Sequence, residues 1–145
     1  MKSKEEYPHH YDHDKKGIAL AETLGERIGV PKNWIKAGKV SCAEHMRGGI
    51  FYKMKPAKKV EFIERIDKSI LGLEGLQIVV KADKLSCRSQ PEGNVLFEPV
   101  GKRCLKEING KYIIARYGKQ QGERMRQKLH EERVKWMKEE MEKAR

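Results

Sequence analysis

The sequence has few of the features that mark membrane, secreted or disulfide-rich proteins. No apolar run approaches the roughly 18–20 residues that a helix needs to cross a bilayer. The N-terminal residues are polar, so we expect no secretory signal. Three cysteines form an odd number without C-x-x-C spacing. This pattern favours reduced thiols in a cytoplasmic or nucleoid-associated protein over a disulfide framework, and we expect no membrane partner.

The sequence also lacks the motifs of common enzyme classes. It contains no recognisable Ser/His/Asp arrangement and no glycine-rich phosphate loop followed by lysine. The segment CAEH at residues 42–45 echoes the Cys-Ala-Glu of zinc-dependent cytidine deaminases, but the downstream P-C-x-x-C of those enzymes is absent. We therefore predict a protein that is not an enzyme and that needs no cofactor.

Basic charge is the dominant feature that is present. Lys and Arg number 32 against 21 acids, so the net charge is +11, and charged residues make up 37% of the chain. This excess is spread over the chain beyond residue 16, without a dense basic tail. A basic balance of this size favours a polyanionic partner, most simply DNA or RNA.

The first 16 residues read as a flexible His-rich arm, because they contain almost no aliphatic side chains. Within this arm, HHYDH at residues 9–13 resembles a metal site, since imidazole and carboxylate groups suit Zn, Ni or Cu. Closely spaced histidines on a mobile arm bind metals only loosely. We therefore predict no resident metal there.

Residues 17–71 read as helices around a short strand. Apolar residues recur every three to four positions over 18–28, which predicts an amphipathic helix ended by Gly29. Pro31 suits the first turn of a second helix, which would stop near Gly38. GGIFYKMKP then reads as a strand, and residues 57–71 as a third helix with Phe62 off its apolar stripe.

Residues 72–118 read as an antiparallel β-meander, with strand-like runs at 76–82, 84–89, 94–100, 104–108 and 111–117. Asn109-Gly110 between the last two is a strong hairpin signal. Residues 119–145 read as a long charged helix, because proline is absent there and Glu, Lys, Arg and Met are common. The predicted fold class is thus α+β: an N-terminal helix-turn-helix with a wing, a β-meander and a C-terminal helix.

The segments LGERIGVPKNWIKAGKV and RGGIFYKMKPAKKVEFIERI resemble the winged helix-turn-helix of MerR and phage-excisionase proteins, over residues 18–70. The resemblance implies a recognition helix at 31–36, a wing at 47–55 and a third helix at 57–70. Lysine and asparagine on such a helix suit base edges and phosphates. The predicted nucleic-acid-binding residues are Lys32, Asn33, Lys36, Lys39, Arg47, Tyr52, Lys53 and Lys55.

From these features we predict a small non-enzymatic DNA-binding protein: a transcription regulator, an excisionase-like protein or a phage packaging adaptor. The alternative is a structural subunit of an RNA-containing or multi-protein assembly. Duplex DNA is favoured over RNA, because RNA-binding sheets expose aromatic residues and the predicted strands offer only Phe97, Tyr112 and Tyr117. The residues around Ile28 and Trp34 could instead form a helical corner packed in a core.

Cys42, His45, Cys87 and Cys104 could in principle complete a tetrahedral Cys₃His zinc shell. Only one pair in this set is close in sequence, whereas structural zinc sites usually supply two close pairs. Buried free cysteine is the commoner fate, and we predict no zinc.

The C-terminal helix carries two narrow apolar stripes separated by charge, which suits a helix contacted on two sides. The sequence therefore predicts a homo-oligomer or protein-partner surface made by Met125, Leu129, Trp136, Met137 and Met141. By this interpretation, truncation after Gly118 leaves a folded domain. The alternative is a helix whose first turns dock on the meander while the rest frays.

Overall fold

The computed structural model of the chain describes residues 13–86 and 97–144. Within these two ranges all regular elements are helices joined by short connections, and no residue lies in a β-strand. The elements are α1 His13–Ile28, α2 Lys32–Gly49, a 3₁₀ turn Phe51–Lys53, α3 Pro56–Asp67, α4 Gly72–Ser86, α5 Phe97–Glu107, α6 Gly110–Tyr117 and α7 Gly122–Lys143. The predicted α+β fold with a β-meander is therefore wrong.

The run Gln77-Ile78-Val79-Val80, predicted as part of a strand, lies in α4. β-Branched residues favour strands but are tolerated in a helix when one face is buried. Leu73, Leu76 and Val80 are buried at helical spacing, whereas Ile78 is 70% exposed. The burial of one helical face therefore outweighs the strand preference of the β-branched run.

The predicted hairpin at Asn109-Gly110 is the start of a helix. The Asn109 side chain accepts a hydrogen bond from the Tyr112 backbone N–H at 3.0 Å, which makes Asn109 the N-cap of α6. Before it, Phe97 and Cys104 are buried on one face of α5, and Ile108 directly after this helix is buried as well. Asparagine followed by glycine occurs both in hairpin turns and at the start of helices. Here the residues on both sides of the pair are helical, so the predicted hairpin is wrong.

The predicted short recognition helix and its wing are also replaced by helix. α2 does not stop near Gly38 but continues to Gly49. The segment predicted as a strand consists of the end of α2, the 3₁₀ turn and the beginning of α3. Gly48 is buried, and a Cβ atom at this position would lie 2.6 Å from Cγ2 of Val80. Gly48 therefore allows α2 and α4 to pack closely, and it does not form the turn of a wing.

The end of the first predicted helix and the C-terminal helix predicted from residue 119 are both present, the latter as α7. α1 ends at Ile28, and Gly29 follows with a φ of 72°. The Val30 N–H then donates to the Gly25 carbonyl at 3.0 Å, which closes the last turn. α1 begins at His13, so it includes the end of the predicted arm. Residues 1–12, with most of HHYDH, lie outside the described residues.

The core lies where α3, α4, α5 and α7 meet, and α2 packs on α4 while α1 packs on α2. Three aromatic rings form its centre. Phe62 and Phe97 meet edge to face at 5.2 Å between ring centroids, and Phe51 lies 5.8 Å from each. Phe62 is 1% exposed, so its predicted position beside the apolar stripe of α3 is wrong. Among the described helices, none is long and apolar enough to cross a membrane.

The close crossing of α2 and α4 yields a testable prediction. A Cβ at Gly48 would approach both Val80 and Phe97, whereas one at Gly38 in the same helix would have Ala21 Cβ as its nearest neighbour, at 3.8 Å. We expect Gly48→Ala to lower the free energy of unfolding by about 1–2 kcal/mol, because overpacking exceeds the gain in helix propensity. Gly38→Ala should raise it by about 0.5–1 kcal/mol.

Chemical denaturation of Gly48→Ala and Gly38→Ala measures the two expected changes in the free energy of unfolding. An additional Val80→Ala substitution should restore part of the stability lost in the Gly48 variant, since it removes the methyl groups nearest the new Cβ. Equal changes at Gly38 and Gly48 would contradict the proposed close packing.

Candidate nucleic-acid interface

The first turn of α2 displays three of the predicted binding residues. The turn at Gly29 and Pro31 redirects the chain, so that Lys32, Asn33 and Lys36 are exposed at the start of the helix. Trp34 beside them is 70% exposed. Ile28 is exposed as well, so the alternative of a packed helical corner is wrong for these two residues.

Further along α2, two predicted binding residues form ion pairs within the protein. Lys39 Nζ lies 3.4 Å from Oε2 of Glu22 on α1. Arg47 Nη1 donates to Oε1 of Glu44 at 3.2 Å. Their positive charges are therefore partly offset before any ligand binds.

Glu44 organises the far end of α2. Its carboxylate is buried and accepts two hydrogen bonds from Arg65 on α3, each at 3.0 Å. Paired contacts of this kind fix the orientation of both groups. The bonds from Arg65 fasten α2 to α3. We therefore assign a structural role to Arg65 and to Arg47, which both bind the Glu44 carboxylate.

The three remaining predicted residues lie around the 3₁₀ turn. Tyr52, Lys53 and Lys55 are exposed, and Lys53 Nζ lies 5.5 Å from the Tyr52 ring centroid. α2 rises about 1.5 Å per residue. Lys32 and Arg47 are therefore separated by about 22 Å along the helix axis. The structure thus spreads the predicted binding residues from the start of α2 to the 3₁₀ turn that follows its end, so they do not form one compact group.

Sequence analysis missed a second group of basic and aromatic residues, at the junction of α6 and α7. Residues 111–128 contain six basic residues and one acid, a net charge of +5. In the same stretch the Arg116 guanidinium lies 6.0 Å from the Tyr112 ring centroid and 5.8 Å from that of Tyr117. Lys128 Nζ lies 4.9 Å from the Tyr117 ring. The sequence signal for this group is the combination of Tyr and Arg in KYIIARYGK. Its β-branched and aromatic residues predict a strand, so the helical arrangement is not evident from the sequence.

The aromatic part of this junction is held in place from α7. Tyr117 Oη donates to Oε1 of Glu132, which is buried and also accepts a hydrogen bond from Lys135 at 3.1 Å. The hydrogen bond from Tyr117 holds the pKa of Glu132 below its usual value. Arg116 Nη1 donates to Tyr112 Oη at 3.0 Å, and the neighbouring Tyr112 raises the pKa of Arg116. Both groups therefore stay ionised around neutral pH.

The described members of the proposed zinc set do not form a metal site. Cys104 is buried in the core, and burial raises the pKa of its thiol to about 12, which disfavours the thiolate that zinc requires. The His45 ring makes contacts at 3.0 and 3.1 Å with the carbonyls of Ser41 and Cys42. Across the described residues, no three His, Cys, Asp or Glu side chains are placed to hold a metal. Cys87 lies outside those residues.

The residues predicted as partner contacts on α7 pack mainly against their own chain. Trp136 and Met137 are buried, and Trp136 Nε1 donates to Glu107 on α5. Leu129 and Met141 pack partly buried against the same core, whereas Met125 is half-buried. The alternative, in which only the first turns of α7 dock and the rest frays, is wrong, because the buried Trp136 and Met137 lie in the second half of the helix. Self-association of the chain stays a prediction.

No protein-family model and no solved structure matches the chain. The resemblance to MerR and excisionase proteins therefore stays a prediction. The chain is 31% identical over 79 residues to the Multifunctional CCA protein of Xylella fastidiosa (strain M23), which covers 53% of this chain and 19% of that protein. The Multifunctional CCA protein of Mannheimia succiniciproducens is 30% identical over 78 residues, covering 52% and 19%.

A longer match runs to the Multifunctional CCA protein of Nitrosococcus oceani, which is 25% identical over 140 residues, or 92% of this chain and 34% of that protein. The chain thus spans between about a fifth and a third of the length of these relatives. The similarity overturns the predicted DNA-binding regulator, excisionase-like protein or packaging adaptor, and with it the prediction that the protein is not an enzyme. The chain, whose described residues form helices and short turns, is similar over 92% of its length to a segment of the Multifunctional CCA protein of Nitrosococcus oceani.

Proposed function

We propose that this chain is a helical segment of a CCA-type, RNA-modifying nucleotidyltransferase, in which it contributes a basic surface that binds RNA. The observation that carries the proposal is the similarity to Multifunctional CCA proteins over 140 residues. The net charge of +11 supports it, because Lys and Arg that neutralise phosphates provide affinity for RNA of any sequence.

The distribution of charge supports a binding role as well. Glu22 and Glu44 pair with Lys39 and Arg47 further along α2, whereas Lys32 and Lys36 are exposed at the start of this helix. A second exposed basic stretch covers residues 111–128. RNA contacts through such surfaces rely on phosphates and unpaired bases, and no strand or wing is needed.

The proposal predicts that the protein binds RNA in preference to DNA and that the affinity falls with salt. The probe is an RNA hairpin with a single-stranded 3′ CCA end, compared with a DNA hairpin of the same sequence by fluorescence anisotropy. Each single-strand phosphate neutralised should contribute about −0.7 to the slope of log affinity against log salt. We expect a steep negative slope and tighter binding of the RNA.

Equal affinity for the two hairpins, or an affinity that does not change between low and physiological salt, would contradict the proposal. A blunt-ended RNA hairpin serves as the second control. We expect it to bind more weakly than the hairpin with the single-stranded end, because its terminal bases are stacked and paired.

A further inference from the structure

We infer that the junction of α6 and α7 is the part of this protein that holds single-stranded RNA, with a base stacked on the Tyr117–Arg116 pair and phosphates on the surrounding cations. This inference rests on the proposed function and adds the place and the type of nucleic acid. It is drawn from the position of Tyr117, the free cations around it and a surface cleft beside it.

The cations of this junction are available for a ligand. Among the described residues, no carboxylate oxygen lies within 4.0 Å of the basic groups of Lys111, Lys119, Arg124 and Arg126. Lys128 is the exception within the junction, since its Nζ lies 3.6 Å from Oε2 of Glu131, and Arg133 and Lys143 in later turns of α7 also pair with glutamates. The positive charge of the junction is thus largely uncompensated, as expected of a surface that receives phosphates.

The connection between the two helices gives this surface a concave shape. Gly118 and Gly122 have φ values of 79° and 50°, a conformation that glycine adopts without strain, and they turn the chain sharply at both ends of the connection. Gln120 Nε2 donates to the Tyr117 carbonyl at 3.1 Å and braces the turn. A cleft of about 570 Å³ results, lined by Lys119, Gln120, Gln121, Glu123 and Arg124. This volume lies within the range of sites that hold small ligands.

The aromatic residues explain why the preferred ligand is a single strand. A base can stack on a tyrosine ring or on an arginine plane only when it is not stacked inside a duplex. Tyr117 is held by Glu132 and lies against Arg116, so its ring is already oriented before RNA binds. A preoriented ring loses little conformational entropy on binding. The first turn of α2 has an exposed Trp34, but no comparable clamp on that ring is seen among the described residues.

Charge reversal at matched sites tests the location. The first variant is Lys119→Glu with Arg124→Glu, and the control is Lys81→Glu on α4 with Lys138→Glu on α7, two exposed lysines outside both basic surfaces. All four side chains are exposed, and both variants change the net charge by the same amount. The probe is a short single-stranded RNA ending in CCA, measured at several salt concentrations.

We expect the α6–α7 variant to lose about tenfold or more in affinity and the magnitude of its salt slope to fall by about 1.4, since two phosphate contacts are removed. The control should lose about two- to threefold through net charge alone. An equal or larger loss in the control would overturn the inference while RNA binding itself stands. Absence of RNA binding by the unmodified protein would overturn the proposed function as well.

A second measurement tests the stacking. With 2-aminopurine in the RNA, stacking on a side chain quenches its fluorescence. Tyr117→Leu should abolish the quenching and weaken binding by about tenfold, because a stacked base contributes about 1–3 kcal/mol. Tyr117→Phe keeps the ring and should retain most of the affinity. Thermal melting of both variants verifies the fold, and equal binding by the Leu and Phe variants would overturn the stacking.

Discussion

Truncation after Gly118 is expected to abolish cooperative folding. The sequence alone predicted a folded remainder, because α7 carries charge around two thin apolar stripes. In the structure, α7 packs on α3, α5 and α6, and its Met137 is 1% exposed in the core. Trp136 is buried beside it. Removing a buried Trp or Met side chain typically costs about 2–5 kcal/mol.

The truncation also breaks polar contacts that join α7 to the rest of the chain. Arg133 donates to Oε1 of Glu64 and to the Ile108 carbonyl, both at 3.0 Å. Without Arg133, these buried or half-buried acceptors lose their partner. The total loss approaches the 5–15 kcal/mol by which typical domains are stable.

Circular dichroism with urea denaturation measures the outcome. We expect the truncated protein to lack a cooperative transition, whereas truncation after Met141 should change stability little, because residues 142–144 are exposed. A sharp transition in the protein truncated after Gly118 would show that α1 to α6 fold without α7. In that case light scattering would test whether α7 mediates self-association.

The second large effect is expected at the centre of the core. Phe62→Ala should lower the free energy of unfolding by about 3–5 kcal/mol, because it removes a fully buried ring and leaves a cavity between Phe51 and Phe97. Tyr52→Ala is the matched aromatic control. Its ring is half-exposed, so we expect a change below about 1 kcal/mol.

Chemical denaturation of both variants provides the comparison. If Phe62→Ala does not fold, Phe62→Leu keeps most of the volume and should lose about 1–2 kcal/mol. Equal losses at Phe62 and Tyr52 would contradict the central position of the three-ring cluster.

The binding surfaces depend on which charges are left free by folding. The sequence counts six basic residues in 32–55 and six in 111–128. In the first stretch, Glu22 and Glu44 are brought against Lys39 and Arg47 by the packing of α1 on α2 and by a salt bridge within α2. In the second stretch Lys128 Nζ lies 3.6 Å from Oε2 of Glu131, and the other five cations have no carboxylate oxygen within 4.0 Å among the described residues. Net charge could therefore be predicted from composition, but which cations are paired within the protein could not.

Local sequence signals determined the elements that depend on local chemistry. Gly29 ends α1 because a positive φ is inexpensive for glycine. Pro56 lies in the first turn of α3, where its missing N–H costs no hydrogen bond. α7 forms over Gly122–Lys143, a segment rich in strong helix formers. In each case the determining interaction lies within one or two turns of the residue.

In the middle of the chain, tertiary packing determined whether residues form helices or strands. Residues 76–117 contain β-branched runs and an Asn-Gly pair that suit strands and helices alike, and local preference differs between the two by only a few tenths of a kcal/mol per residue. Burial of Leu76, Val80 and Phe97 against α3 contributes far more, since each large side chain adds about 1.5–3 kcal/mol. The helical alternative prevails because it places these residues on one face.

The candidate site at α6–α7 shows the same division between sequence and structure. The sequence alone determined that Tyr112, Arg116 and Tyr117 lie close together along the chain and that the protein carries a large positive charge. Only the packing of α6 against α7 brings Lys128 over the Tyr117 ring and Glu132 to its hydroxyl. Those contacts join residues 11 and 15 positions apart, which the helical turn at Gly118–Gly122 makes neighbours and an extended strand would have separated.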